Sequence, residues 1–232
     1  MRTRLIFVRH AEAEGNVKRL FHGWYNSDLT EKGEEQAKLV AGRLKKLKVD
    51  VLYSSVLNRT YKTATYISKE LGLPIKTSEQ LKEINGGDWE DVSWADIPKM
   101  WPLEHNNWEK NPHLVELPNG ESMVGFQERL LREVYRIIHE NEGKTILIVT
   151  HGTAIKALKC KFTGVKLKDM MAVSWCDNTA VTVVDYESDT GKFDLKIDGD
   201  VSHLPFNLRT IVHQDWWQNL NRQGRVSDGK EV

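Results

Sequence analysis

Two short apolar runs, far apart in the chain, each end in a histidine: Leu5-Ile6-Phe7-Val8-Arg9-His10 and Ile146-Leu147-Ile148-Val149-Thr150-His151. Each histidine is followed by a small residue, Ala11 or Gly152. A neutral imidazole held among cations can attack phosphorus. Arg9 precedes the first histidine, and Arg59 falls at the start of a predicted helix. A guanidinium matches phosphate oxygens with a planar fork and keeps its charge. A helix opening at Gly152 adds backbone donors and a positive dipole end. All of these favour a tetrahedral oxyanion. The leaving oxygen still needs a proton donor, and Glu83, in the glycine-bearing loop Leu81–Glu90, can supply it.

Those side chains converge only if the right elements carry them. Apolar runs without alternation read as strands buried on both faces, as in a parallel sheet between helices. Ligands of open parallel sheets sit beyond the carboxyl ends of the strands, so both imidazoles would enter one cleft. A strand over residues 4–9 is followed by a polar loop, 11–29, then a helix from an N-cap at Thr30 to about Lys48 with Ala37, Val40, Ala41, Leu44 and Leu47 inward. Val51–Tyr53 predicts a strand, Asn58–Leu71 a helix closed by Gly72 and Pro74, and 74–78 another strand. Residues 91–118 carry Trp94, Trp101 and Trp108 without a period and predict an irregular cap of short helices, its tryptophans packing as a lid, with an aromatic platform for substrate as the alternative. A helix over about Glu121–Glu140 buries Met123, Phe126, Leu130, Val134 and Ile137. Beyond the helix opened by Gly152, Ala180–Asp185 and a stretch through Ile197 predict strands joined at Asp189-Thr190-Gly191. The sum is an α/β fold, a three-layer sandwich with a mostly parallel central sheet flanked by helices and a small irregular cap insertion. We expect one domain over 1–232, with 91–118 as the cap and 216–232 as a C-terminal extension.

Lys+Arg and Asp+Glu number 33 each. This balance argues against a general nucleic-acid or membrane-surface binder. Cys160 and Cys176 give neither a disulfide framework nor metal-ligand spacing, and a reducing cytoplasm is expected. The N-terminal apolar run is too short for a signal peptide, and no window approaches a membrane span. His105, His113, His139 and His213 read as surface or cap residues, Glu12 and Glu14 as solvated loop charges, with contact to the site as the alternative for Glu12. A metal hydrolase built on His10, Glu12, His151 and a further carboxylate would have poor ligand spacing.

Read in order, the motifs resemble the histidine phosphatase superfamily, in its phosphoglycerate mutase-like branch. Arg9-His10-Ala11-Glu12-Ala13-Glu14-Gly15-Asn16 resembles its Arg-His-Gly motif, and Phe21-His22-Gly23-Trp24 through Leu29-Thr30-Glu31-Lys32-Gly33 its first loop and helix start. Ser54-Ser55-Val56-Leu57-Asn58-Arg59 with Thr63-Ala64 resembles the second-arginine motif. Leu81-Lys82-Glu83-Ile84 with Gly87-Asp88-Trp89-Glu90 resembles the acid loop of its phosphatases. Asn119-Gly120-Glu121-Ser122, Val149-Thr150-His151-Gly152 and Asp200-Val201-Ser202-His203-Leu204 follow in sequence.

The resemblance implies a phosphatase that hydrolyses a phosphomonoester in two steps, without metal or cofactor. His10 would become a phosphohistidine while Glu83 protonates the leaving alcohol and later activates water. Arg9, Arg59, His151 and Gly152 would hold the phosphoryl oxygens, Asn16 would contact the same group, and His22 and Gly23 would line a substrate pocket. The partner would be a small phosphorylated substrate; oligomeric state is left open. Ala11 stands where the superfamily usually has Gly, and Ala13 where it often has Thr. The first takes room from a backbone approach, the second a hydroxyl from the phosphate. The alternative within the superfamily is a mutase of the cofactor-dependent phosphoglycerate type. The resemblance gives mutases a paired-arginine segment after the acid loop, whereas 91–118 offers only Lys99 and Lys110, which favours hydrolysis. A non-catalytic phosphate-binding scaffold is the third reading.

Overall fold

A computed structural model describes residues 1–214; the expected extension at 216–232 lies outside them. The strands are β1 (Arg2–Arg9), β2 (Val51–Ser55), β3 (Ile75–Ser78), β4 (Thr145–Thr150), β5 (Val181–Glu187) and β6 (Lys192–Asp200). They form one sheet in the order β3-β2-β4-β1-β5-β6. The β3-β2, β2-β4 and β4-β1 pairings are parallel, and β5 and β6 add an antiparallel hairpin at one side. Its turn falls at the predicted Asp189-Thr190-Gly191, where Gly191 has φ 65°.

The apolar runs lack alternation because the sheet is covered on both faces. Leu5, Phe7, Ile146 and Ile148 enter one core, with α6 (Met123–Glu140) and α7 (Gly152–Thr163). Ile6, Val8, Leu147 and Val149 enter the other, with α2 (Glu31–Leu44) and α3 (Asn58–Leu71). Successive side chains of a strand point to opposite faces, so an uninterrupted run is what a middle layer requires.

Helix ends follow local chemistry. The Thr30 hydroxyl accepts the Gly33 amide at 3.0 Å, which starts α2, and Gly72 closes α3 at φ 66°. The long helix begins at Met123, two residues later than expected, because Ser122 caps it by accepting the Gly125 amide. Glu121 is thereby left outside the helix and pairs with Arg129. Within the polar loop 11–29 lies a short helix, α1 (Glu14–Lys18).

Residues 91–118 hold α4 (Ile97–Met100), α5 (Pro102–Lys110) and a 3-10 turn at Pro112–Leu114. They are pinned by Trp89, which is fully buried and packs against Phe21, Trp94, Trp101 and Trp108 with ring centroids 5.5 to 6.5 Å apart. Burying such an indole supplies the apolar area that short, irregular helices cannot supply from their own backbone.

Candidate active site

The register of β1 on β4 sets Val8 opposite Val149 and Arg9 opposite Thr150. His10 and His151 therefore leave the sheet side by side, and their ring centroids lie 5.4 Å apart at 60°. They border a cavity of about 830 Å³ at the carboxyl ends of the parallel strands, lined by Arg9, His10, Asn16, His22, Arg59, Glu83 and Gly152 among others.

His10 Nδ1 lies 2.7 Å from the Ala11 carbonyl oxygen. A carbonyl can only accept, so Nδ1 carries the hydrogen and Nε2 keeps its lone pair. Burial holds the His10 imidazolium well below its ordinary range, and the Arg59 and Arg9 charges push the same way. The ring is thus neutral, with its free nitrogen left for the cavity. Two bonds fix its backbone: the His10 amide donates to Thr150 O, and Asn178 Nδ2 donates to His10 O.

His151 is fully buried beside His10 and is not among the residues that line the cavity. Its Nε2 is 2.9 Å from the Ser55 hydroxyl, a tether from the end of β2 that turns the ring inward; Nδ1 has no partner among the described residues. Burial, then Arg59 and His10, hold it neutral as well.

The two arginines are anchored differently. Arg59, at the start of α3, is 2% exposed and donates to the carbonyls of Tyr25, His22 and Gly23. Burial lowers its pKa to about 10, with Glu83 and Glu90 opposing. Arg9 donates to Cys176 O through Nη1, lies 5.7 Å from the Trp175 ring centre, and has a buried Nε without a partner. Gly152 lets it sit there. A Cβ at that position would come within 3.1 Å of both Arg9 Nε and Trp175 Cζ2.

Glu83 accepts the Ile84 amide on one oxygen and the Thr153 amide on the other, both within 3.0 Å. Burial raises its carboxyl above the ordinary range against those two bonds and the nearby arginines. Its backbone is held from α6, since Arg129 Nη2 donates to Glu83 O, as does Trp24 Nε1. A buried carboxyl of raised affinity for its proton is suited to acid work near neutral pH.

Asn16 lines the cavity while its Oδ1 accepts the Ala13 amide and Asn178 Nδ2, so its amide NH₂ is the end free to donate outward. His22 lines the wall, bonded to Ser27 and Asp91 and stacked on Tyr25. Gly23 does not line it; its amide is turned to Glu90 and its carbonyl to Arg59, because the loop closes back on the guanidinium. Glu12 is buried rather than solvated, bonded to Thr30 and Thr210 and paired with Lys32. His105 is a cap residue that does reach the cavity. Ala11 fits, fully buried, its amide on the Thr63 hydroxyl. No set of three His, Cys, Asp or Glu side chains that could hold a metal ion gathers among the described residues.

Sequence reasoning missed Lys156, Met171, Trp175 and Asn178. Lys156 follows Gly152 by one helical turn, which places both on the same helix face. The residues after α7 have no periodicity, and only Thr179, non-glycine with φ 57°, marks how tightly that chain turns beneath Arg9.

Residues 5–198 match the sequence profile of the Histidine phosphatase superfamily (branch 1). The chain belongs to that superfamily. Relatives include phosphoserine phosphatase 1 of Hydrogenobacter thermophilus, 33% identical over 79% of this chain and 87% of its own. A 2,3-bisphosphoglycerate-dependent phosphoglycerate mutase of Bartonella bacilliformis is 35% identical over 74% of this chain and 86% of its own. The solved structure of Bacillus stearothermophilus YhfR superposes with a TM-score of 0.82 at 35% identity, covering 87% of this chain and 98% of that one. This member of the superfamily keeps a histidine and an arginine at the end of β1 despite Ala11 and Ala13, and no described helix is long and apolar enough to cross a membrane.

Proposed function

We propose that the protein is a phosphomonoesterase acting on a small phosphorylated substrate, with His10 as nucleophile and Glu83 as proton donor. One observation carries the reading. The His10 ring is neutral, its Nδ1–H is spent on Ala11, and its Nε2 lone pair is left for a cavity flanked by Arg9 and Arg59.

Nε2 attacks phosphorus, the P–O ester bond breaks, and the departing alkoxide takes the Glu83 proton. Water then attacks the phosphohistidine, the ionised Glu83 accepts the water proton, and the P–N bond electrons return to Nε2. Arg9, Arg59 and the Gly152 amide hold the phosphoryl oxygens, with Asn16 donating to the same group. These groups supply the positive charge the transfer needs. His151, a neutral neighbour whose ring lies 5.4 Å from that of His10, contacts the same phosphoryl group. The volume suits a small ligand. A single catalytic domain with 91–118 as its cap, in the cytoplasm, completes the proposal; both cysteines are free and buried.

The mutase is the second reading, because the Bartonella relative carries that name at similar identity. Hydrolysis is favoured because the cap supplies no arginine for a second anionic group. The test is to acid-quench the enzyme with ³²P-labelled ester and follow free phosphate alongside transfer between positions of phosphoglycerate. Label on His10 with release of phosphate supports a phosphatase. Transfer exceeding release would make it a mutase, and no label with any ester would leave a binding protein.

A further inference from the structure

The motif Asn119-Gly120-Glu121-Ser122 stands out in the sequence, yet none of its four residues is among those lining the cavity. What it touches instead is the loop that carries Glu83. The Glu121 amide donates to Asn85 O at 3.0 Å, the Asp88 amide to Pro118 O at 2.8 Å, and Asn119 Nδ2 to both Asp88 carboxylate oxygens at 3.1 Å. The two segments come this close because residues 87 and 120 are glycine. A Cβ on Gly87 would fall 2.1 Å from Pro118 O, and one on Gly120 would fall 2.5 Å from Asn85 O.

This docking brings the Glu121 carboxylate onto Arg129 of α6. Arg129 Nε donates to Oε1 at 2.7 Å and Nη2 to Oε2 at 2.8 Å, a two-point match. The remaining donors turn to the Glu83 loop. Nη1 reaches Gln80 O at 2.7 Å and Lys82 O at 3.3 Å, and Nη2 reaches Glu83 O at 3.1 Å. Every N–H of the guanidinium is thereby spent. Glu121 Oε2 also takes the Asn85 amide at 2.9 Å, so one part-buried ion pair grips the backbone on both sides of Glu83. The Ile84 and Thr153 amides hold the carboxyl itself. Proton transfer requires that carboxyl within about 3 Å of the oxygen it serves, and a grip on both ends of the residue controls that reach.

We propose that Arg129, braced by Glu121, is a positioning residue for the proton transfers: it sets the reach of Glu83 to the leaving oxygen and then to the attacking water. The attack of His10 on phosphorus does not depend on it. This rests on the phosphatase reading above. An ammonium is a point charge without the planar fork and cannot bridge a carboxylate and three carbonyls, so Arg129→Lys keeps the charge while releasing the loop.

The experiment measures kcat/KM for glycerol 1-phosphate, whose alkoxide needs a proton, and for 4-nitrophenyl phosphate, whose leaving group departs without one. In Arg129→Lys the alkyl value should fall by about 10- to 100-fold, and the aryl value by no more than about threefold. Water activation should slow as well, so acid-quenched phosphoenzyme from the ³²P-labelled aryl ester should stand higher at steady state than in wild type. Glu121→Gln, which keeps the volume and one acceptor, should show the same selective loss to a smaller degree, its retained aryl activity reporting an intact fold. On a Glu83→Gln background, Arg129→Lys should cost nothing further on the alkyl ester, because both changes act on one proton transfer. Equal losses on the two esters would overturn the proposal, as would a loss kept in full on the Glu83→Gln background. A selective loss in Glu83→Gln with an unmoved ratio in Arg129→Lys and Glu121→Gln leaves the phosphatase reading intact and removes this one. Inertness of wild type toward both esters, or a Glu83→Gln enzyme without the selective loss, removes both.

Discussion

Glu90 takes four backbone amides on one carboxylate. Trp24 and Gly86 donate to Oε1 at 2.6 and 2.8 Å, Gly23 and Tyr25 to Oε2 at 3.1 and 2.8 Å. The amides converge because residues 23 and 86 are glycine; a Cβ on either would fall within 2.9 Å of Oε1. The loop so gathered presents its His22, Gly23 and Tyr25 carbonyls to Arg59. Glu90→Gln keeps one oxygen and turns an NH₂ toward two N–H groups, so two charge-assisted bonds are lost. At about 1.5 kcal/mol each, the low end for a half-buried group, the cost is about 3 kcal/mol. That should lower Tm by roughly 6–12 °C for a chain of this size. If about half of the loss falls on the placement of Arg59, inorganic phosphate should inhibit roughly tenfold more weakly. Thermal unfolding and competition against an aryl phosphate measure the two effects. A lowered Tm with unchanged phosphate inhibition would refute the link from Glu90 through the loop to Arg59. An unchanged Tm would refute the clamp itself.

Other substitutions separate the remaining roles. His10→Ala should abolish both turnover and acid-trapped phosphoenzyme, and full activity would remove it as nucleophile. Glu83→Gln should slow alkyl phosphate hydrolysis by about 10²–10⁴ and an activated aryl phosphate far less; equal losses would speak against acid catalysis. Because burial raises the Glu83 carboxyl, wild-type kcat/KM on alkyl esters should decline as pH climbs through that raised value, and a pH profile shared by Glu83→Gln would be contrary. His203 is held neutral, with Arg43 donating to Nδ1 and Nε2 bonded to Thr179, and burial lowers its pKa to about 4. Between about 6.5 and that value the unfolded chain binds the extra proton, so stability is full above this window and drains as pH falls through it. His10 and His151 act in the same direction. Urea unfolding from pH 7 to 4.5 should show the loss, with a shallower slope in His203→Gln; identical slopes would count against a neutral His203.

By itself the sequence determined the sheet's middle layer and what its strand ends carry. Unbroken apolar runs such as Leu5–Val8 and Ile146–Val149 admit no exposed face, so two helical layers follow from burial, and membership of one parallel sheet puts His10 and His151 at the same end. Cap chemistry was equally local: Thr30 and Gly72 act on amides or dihedrals within a few residues, which makes helix ends readable from adjacent letters. The tertiary structure decided what each of those side chains faces. Which way the His151 ring turns depends on Ser55, 96 residues earlier; whether Gly23 lines a pocket or supports Arg59 depends on Glu90; and Lys156 meets Met171 and Trp175 from the segment after its own helix. Periodicity reports burial, a property summed over all neighbours. Partner identity is set by which distant segment arrives, and no pattern along the chain encodes it.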